Sequence, residues 1–306
     1  NQPNILYRNN GKFTLTNVSA PTGANHASQA MGVDFADINH AGHFDFYITN
    51  LSFNSLLLNN GAGFFSNIAQ QAGCADPGMG WGVTFFDYDN DGYKDIYMSN
   101  DSYFSPHPNI LYRNNGYNTF SIVSQGTALH SMYGGYGVAC ADINDDGWMD
   151  LMLANSGNDG NQLFLNQNFN LNKWVKLKLT GTQSNRAAIG ARLRVTAGNK
   201  NYIDEVTAGS GYAAQNSFTR HFGLGQAEVI DSLHVRWPGG LQEVFTDLTV
   251  NRTYYITEGE GISTTPVNTR SKQPAGVQLF ANAPNPFSGE TVLSFHLEKA
   301  QSVRLS

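Results

Sequence analysis

The sequence predicts an all-β protein, and three observations carry the prediction. Gly (32) and Asn (34) are abundant among the 306 residues, no sustained helical period appears, and two short segments return along the chain at regular spacing. The segment NILYRNNGKF at Asn4 recurs as NSLLLNNGAGFF at Asn54, as NILYRNNGYNTF at Asn109 and, more weakly, as NQLFLNQNF at Asn161. Between these copies lies a second repeat: MGVDFADINHAGHFDFYITN from Met31, WGVTFFDYDNDGYKDIYMSN from Trp81 and YGVACADINDDGWMDLMLAN from Tyr136. The starts of this second repeat are 50 and 55 residues apart.

Each repeat offers about four short strands: a leading Gly-Val segment, an apolar run after an acidic loop, and an Asn-x-Leu segment ending in an Asn/Gly turn. Four strands in about 50 residues is the blade size of a β-propeller, in which radial repetition protects sheet edges. A solenoid is the alternative. Residues 1–170 therefore read as blades of a partial, N-terminally incomplete propeller.

Beyond Asn170 the repeats stop. In Trp174–Thr180, Val175, Leu177 and Leu179 fall on one face and Lys176, Lys178 and Thr180 on the other, the pattern of a half-buried strand. Ala191–Thr196 and Leu233–Trp237 alternate likewise, and Pro238-Gly239-Gly240 stops the latter. A second small β-domain thus spans 171–262. The Ser/Thr/Pro-containing stretch 263–276 has too few apolar residues for a core and reads as a linker. At 277–306 strand-like segments resume around an Asn-Pro turn, the start of a β-sandwich-like unit. The chain begins without Met and stops inside an alternating stretch, so we expect a fragment at both ends.

Charge narrows the partners. Net charge is -6, and only 18 Lys and Arg are spread along the chain, leaving no basic stripe for a phosphate backbone, so nucleic acid is excluded as an expected partner. No apolar run approaches the roughly 18 residues of a membrane span, so no transmembrane segment is expected. The two cysteines, Cys74 and Cys140, are too few for a disulfide scaffold, and their different contexts argue against a mutual bond.

The sharpest chemical signal is the spacing Asp-x-(Asp/Asn)-x-(Asp/Asn)-Gly-x-x-Asp. It is complete at Asp87-Asp89-Asp91-Gly92-Asp95 and Asp142-Asn144-Asp146-Gly147-Asp150, and degenerate at Asp37-Asn39-Ala41-Gly42-Asp45. Alternate residues of a tight loop converge their oxygens, and hard oxygen donors suit Ca²⁺. The backbone carbonyl at the seventh position would come from His43, Tyr93 or Trp148. Polar β-turns alone would use the same residue types, but three copies in register argue for metal. An EF-hand would need Glu at position twelve, where Ile48, Met98 and Leu153 stand instead. Ten of the 24 acidic residues lie in these loops, a density that destabilises the fold unless cations intervene. By carboxylate count, the expected order of affinity is Asp87–Asp95, then Asp142–Asp150, then Asp37–Asp45.

These loops, led by Gly32-Val33, Gly82-Val83 and Gly137-Val138, resemble the FG-GAP or VCBS-type repeats of integrin-α-like propellers over residues 1–170. NRAAIGARLRV, GSGYAAQNSFTRHFGLG and IDSLHVRWPGG, in this order, resemble the ASPIC/UnbV domain that follows such repeats in cartilage acidic protein-like chains. ANAPNPFSGETVLSFHL (281–297) resembles the opening of a type A sorting domain read by the type IX secretion machinery. Together the resemblances imply a secreted or cell-surface, Ca²⁺-binding adhesion or ligand-binding module with an extracellular protein or glycan ligand. The alternative is a Ca²⁺-dependent carbohydrate-active enzyme of polysaccharide lyase type, with its catalytic residues outside this chain.

Signals for catalysis within the chain are weak. Gly209-Ser210-Gly211 lies near Asp204 and His221 in sequence, but Ala208 and Tyr212 stand where a nucleophile elbow has glycines, so a Gly-rich turn is expected. Neither GYGVAC nor GLGQAE completes a dinucleotide fingerprint, and the eight histidines show no zinc spacing. No catalytic residue is assigned. Trp81, Tyr136 and Trp148 could stack on sugars, although packing between blades is the expected role.

Overall fold

Apolar residues at period two build the sheets, and the recurring Asn/Gly segments supply their turns. The computed structural model describes residues 2–168 and 170–266 and the backbone of two further strands, 277–279 and 295–297. The chain divides into two compact units, Asn1–Thr264 and Thr265–Ser306. Almost everything described is strand, loop or turn, as the sequence predicts.

The first unit opens with short pairs: β1 (Gln2–Pro3) with β4 (Ala27–Ser28), and β2 (Tyr7–Asn9) with β3 (Leu15–Asn17). A one-turn helix, α1 (Ser19–Thr22), lies between β3 and β4. The first full repeat is a four-stranded antiparallel meander of β5 (Ala30–Ala36), β6 (Asp45–Asn50), β7 (Ser55–Asn59) and β8 (Phe65–Asn67). After the one-turn α2 (Ala69–Ala72) comes a second such sheet: β9 (Gly80–Phe86), β10 (Asp95–Asn100), β11 (Ile110–Asn114) and β12 (Phe120–Ile122). The third has three strands, β13 (Gly135–Ala141), β14 (Asp150–Asn155) and β15 (Gln162–Phe164).

These three sheets stack in chain order. Ile38, Tyr47 and Leu56 of the first share a core with Val83, Ile96 and Met98 of the second. Tyr97 and Leu111, facing the other way, share the next core with Val138, Leu151 and Leu153 of the third. Covered on both faces, β10 is buried at every position and so lacks the alternation of a half-exposed strand. The leading strands β5, β9 and β13 approach so closely that a Cβ on Gly32 would sit 2.4 Å from the Trp81 carbonyl oxygen. A Cβ on Gly82 would sit 2.5 Å from that of Tyr136. This close approach is the physical reason for the Gly of the first two Gly-Val segments, whereas a Cβ on Gly137 would meet nothing nearer than 3.5 Å.

A recurring Asn joins neighbouring sheets. Asn114 Nδ2 donates to the Ile38 carbonyl at 2.9 Å, and Asn166 Nδ2 donates to that of Tyr88 at 2.7 Å. Cys74 and Cys140 are free thiols in separate cores. Burial pushes Cys74 up to about 12 and Cys140 up to about 11, well outside the reactive range.

The β-domain places two four-stranded sheets on one core. One sheet runs β18 (Lys200–Glu205), β17 (Arg192–Ala197), β20 (Val229–Arg236), β21 (Gln242–Thr249). The other runs β19 (Arg220–Gly225), β16 (Lys173–Thr180), β22 (Arg252–Thr257), β23 (Gly261–Ser263), with β16 and β22 parallel. Val175, Leu177, Leu193, Val195, Leu233 and Trp237 fill the space between. The alternation read from β16 is present in Val175, Leu177 and Leu179, but its polar face is not all in solvent: Lys176 is only 3% exposed. That face covers the third acidic loop.

In the second unit, β24 (Val277–Leu279) pairs antiparallel with β25 (Phe295–Leu297). The rest of the expected linker and sorting segment from residue 267 onward lies outside the described residues.

Candidate metal centre

All three acidic loops adopt one backbone design. The fourth position takes a left-handed conformation (His40 φ 61°, Asn90 φ 56°, Asp145 φ 61°), as does the Gly at position six (Gly42 φ 82°, Gly92 φ 94°, Gly147 φ 92°). These turns aim the Gly N–H back at the first Asp, so Oδ2 of Asp37, Asp87 and Asp142 each accepts that N–H at 2.8 Å. The last Asp fastens loop to sheet with both oxygens. Asp45 accepts Ile38 and Asn59 N–H, Asp95 accepts Tyr88 and Asn114, and Asp150 accepts Ile143 and Asn166.

The loops differ at the other oxygen of the first Asp. Asp37 Oδ1 accepts the Ala41 N–H at 3.0 Å, and Asp142 Oδ1 accepts that of Asp146 at 3.1 Å. Asp87 is 1% exposed, yet its Oδ1 has no hydrogen-bond partner. One oxygen from each of Asp87, Asp89 and Asp95 lies within 4.8 Å of the others. Arg113 on β11 forks over the outer part of this cluster, with Nε 2.9 Å from Asp89 Oδ2 and Nη2 2.7 Å from Asp91 Oδ2.

The electrostatics agree with the geometry. Burial, reinforced by the charge of Asp91, pushes Asp87 up to about 8. Burial and then the Asp87 charge raise Asp95 as well. A buried carboxylate cluster with one guanidinium at its outer part only, and with one oxygen of Asp87 left without a partner, fits a hard divalent cation such as Ca²⁺. Asp87, Asp89 and Asp95 would hold it, and it would supply neutralisation and cross-linking of the loop.

The other predicted ligands are arranged differently. Asn39 donates to Asn118 and accepts the Ala41 N–H, and the His43 side chain is exposed. Tyr93 donates its N–H to Asp91 and its ring packs on His40 at 4.6 Å. In the third loop Asn144 Nδ2 donates to Asp146 Oδ2, and Asp146 Oδ1 accepts the Trp148 N–H. The Asn39, Asn144 and Asp146 side chains thus have partners within the protein.

Sequence reasoning did not foresee that the β-domain sits on the backs of these loops. His40 packs on Tyr202 of β18 at 4.9 Å. Asn90 accepts the Gly225 N–H, and a Cβ at Gly223 would lie 2.0 Å from Asp87 Oδ2. The buried Lys176 Nζ lies 2.6 Å from Asp142 Oδ2 and 2.7 Å from Asp145 Oδ1. His221 Nε2 donates to the Gly147 carbonyl at 3.1 Å, and burial, with Lys94 nearby, pushes this imidazole down to about 3, so it is neutral. His221 therefore faces a loop carbonyl, while Ser210 Oγ accepts the Asn216 N–H within its own turn. The signals that were present are the Gly-rich FGLG run of β19 and a lysine on the polar face of β16.

The segment 209–217 reaches the leading strands. Gly211 N–H donates to the Val33 carbonyl, Ser217 N–H donates to that of Cys140, and Tyr212 packs on Trp81 at 4.8 Å. Trp81 and Tyr136, 4.6 Å apart, thus pack against each other beneath a β-domain turn.

Comparison with known proteins agrees with this architecture. An FG-GAP-like repeat profile matches residues 41–98 and 100–153, and an ASPIC and UnbV profile matches 181–263. Cartilage acidic protein 1 of Homo sapiens is 30% identical over 252 residues, covering 78% of this chain and 38% of that protein. The Xenopus tropicalis protein of the same name is 29% identical over 257 residues, covering 80% and 39%. The chain thus spans under two fifths of the length of these relatives. A solved structure titled for recognition of non-reducing terminal N-acetylglucosamine by an Agrocybe aegerita lectin covers 71% of this chain and 64% of its own. At 16% identity and a TM-score of 0.30, that likeness carries no argument. The loops, the stacked sheets and the appended β-domain place the chain among FG-GAP-like repeat proteins that carry an ASPIC and UnbV domain.

Proposed function

We propose that this chain is part of an extracellular adhesion or ligand-binding module whose repeat region is stabilised by Ca²⁺, with the Asp87–Asp95 loop as its principal site. The observation that supports the metal most directly is the buried, unpartnered Oδ1 of Asp87, a residue whose carboxylate clusters with those of Asp89 and Asp95. The FG-GAP-like repeats and the cartilage acidic protein 1 relatives support the extracellular binding role. Ca²⁺ here shapes the loops and strengthens the fold, and a protein or glycan ligand is bound by the surface so fixed. Export by the type IX machinery rests on 281–297 alone.

Calorimetric titration of Ca²⁺ into the chain and its Asp87→Asn variant tests the site. The expected result is a tight site in the wild type that is absent from the variant, with melting temperature rising on Ca²⁺ only in the former. Equal binding by both would refute the assignment. For the module, the full-length protein is screened against matrix proteins and glycans with Ca²⁺ and with chelator. Polysaccharide cleavage that is lost in Asp89→Ala while melting stays unchanged would replace the binding role with an enzymatic one.

A further inference from the structure

The Asp142–Asp150 loop carries the complete sequence motif, yet its geometry does not fit an added ion in the way the Asp87–Asp95 loop does. Every oxygen of Asp142 is in use: Oδ1 accepts Asp146 N–H, and Oδ2 accepts both Gly147 N–H and the Lys176 ammonium. Asp146 is held by Asn144 and the Trp148 N–H, and Asp150 by two backbone N–H groups. Deepening the metal assignment above, we propose that this loop takes its cation from the chain itself: Lys176 fills the neutralising role that a bound ion has at Asp87, making the third loop a latch between the repeats and the β-domain.

Several independent features converge on that lysine. Among the described residues it is the one buried lysine, and an ammonium is buried only where its charge is met. It is delivered by β16, whose Val175 and Leu177 are anchored in the β-domain core, so its position is fixed by packing rather than by a flexible tether. Its Nζ also lies 5.4 Å from the Trp174 ring centroid, and that ring packs so tightly on Gly147 that a Cβ there would clash at 2.0 Å. At the equivalent place over Asp87 stands Gly223, which has no side chain and contributes no charge. Asp142 is therefore met by an ammonium, while at Asp87 Oδ1 has no partner and Arg113 reaches only Asp89 and Asp91 of that loop, although the two sequences are nearly alike.

An ion at the third loop would have to displace the Asp146 N–H and share a carboxylate with an ammonium. Ca²⁺ affinity there is therefore expected to fall at least about tenfold below that of the Asp87 loop, through repulsion between the ion and the buried ammonium at Asp142. Calcium titration of the whole chain reads this directly. Asp142→Asn is expected to leave the number and affinity of the tight calcium sites unchanged while lowering the melting temperature. Lys176→Met is expected to melt lower in chelator and to recover on adding Ca²⁺ by more than the wild type does, as the freed loop gains a site. Loss of a tight site in Asp142→Asn would overturn the proposal, as would a Lys176→Met variant with the wild-type number of sites.

A metal-independent arm separates this from the Asp87 assignment. In chelator, a double-mutant cycle of Lys176→Met and Asp142→Asn on melting temperature is expected to be strongly non-additive. Additivity would overturn the latch whatever happens at Asp87. If Lys176→Met does not fold, Lys176→Arg with Asp145→Asn takes its place. Retained melting in Lys176→Arg and a loss in Asp145→Asn support the proposal, and the reverse pattern defeats it.

Discussion

Asp34 lies in β5 at the junction of the repeats and the β-domain, and its titration should be readable in the stability of the first unit. The carboxylate is buried, its Oδ2 accepts the Phe85 N–H at 2.8 Å, and it lines a small polar cavity of about 40 Å³ with Lys94, Asp204, Glu205, Arg220 and His221. Burial, only partly offset by the Phe85 hydrogen bond and the Arg220 charge, pushes Asp34 up to about 6. In the unfolded chain it titrates near the ordinary value of roughly 4. The folded state therefore holds the proton more tightly, and Asp34's contribution is most favourable below that ordinary value. It is lost as pH rises through about 6, by about 3 kcal/mol in all, at about 1.4 kcal/mol per tenfold. Asn can accept the same N–H but cannot ionise. Asp34→Asn should thus match the wild type near pH 4 and exceed it at pH 8 by roughly 6–12 °C in melting temperature. Circular dichroism melts of both proteins across this range, in chelator, test the reasoning. Taking the difference between them cancels the shared titration of the acidic loops. A variant that melts lower than the wild type at pH 8, or by a constant offset at every pH, would refute it.

Other consequences are equally concrete. Asn114→Ala removes side-chain bonds to the Ile38 and Lys94 carbonyls and should lower stability by about 1–3 kcal/mol in denaturant titration; a change near zero would remove the inter-sheet role. Gly223→Ala brings a Cβ within 2.6 Å of the Asn90 Cα and should destabilise by roughly 1–3 kcal/mol while weakening Ca²⁺ binding; normal melting and calcium titration would contradict both effects. Cys74 and Cys140 should resist a thiol reagent in the native state and react fully in denaturant, so rapid native labelling of either would show the cores to be looser than described.

The repeat pattern made the all-β class and the FG-GAP-like and ASPIC/UnbV order legible, because blades and loops are local and periodic. The glycine of each Gly-Val segment was visible as a mark of the family, while its cause at Gly32 and Gly82, a neighbouring carbonyl about 2.5 Å from any Cβ, is a contact between strands of different repeats. The site was legible only in part. Asp87 and Asp142 open the same motif, and carboxylate count separates their loops only slightly. What distinguishes them is Gly223 over one and Lys176 against the other, residues distant in sequence that the β-domain brings back onto the loops. Local spacing carries no information about such a return. The sorting segment falls mainly outside the described residues.

The burial of the Asp87 cluster also bears on rates. Asp87, Asp89 and Asp95 are 1%, 8% and 0% exposed, and the Asp89 carbonyl accepts the side-chain amides of Asn170 and Asn172. A cation held there would be ringed by nearly covered carboxylates, so its release is expected to wait on a local opening of the loop and whatever rests on it. Exchange should then be slow and steeply temperature-dependent, governed by how often the protein breathes rather than by how well a chelator competes. A brief exposure to chelator would leave the ion in place even where prolonged incubation at the same concentration strips it.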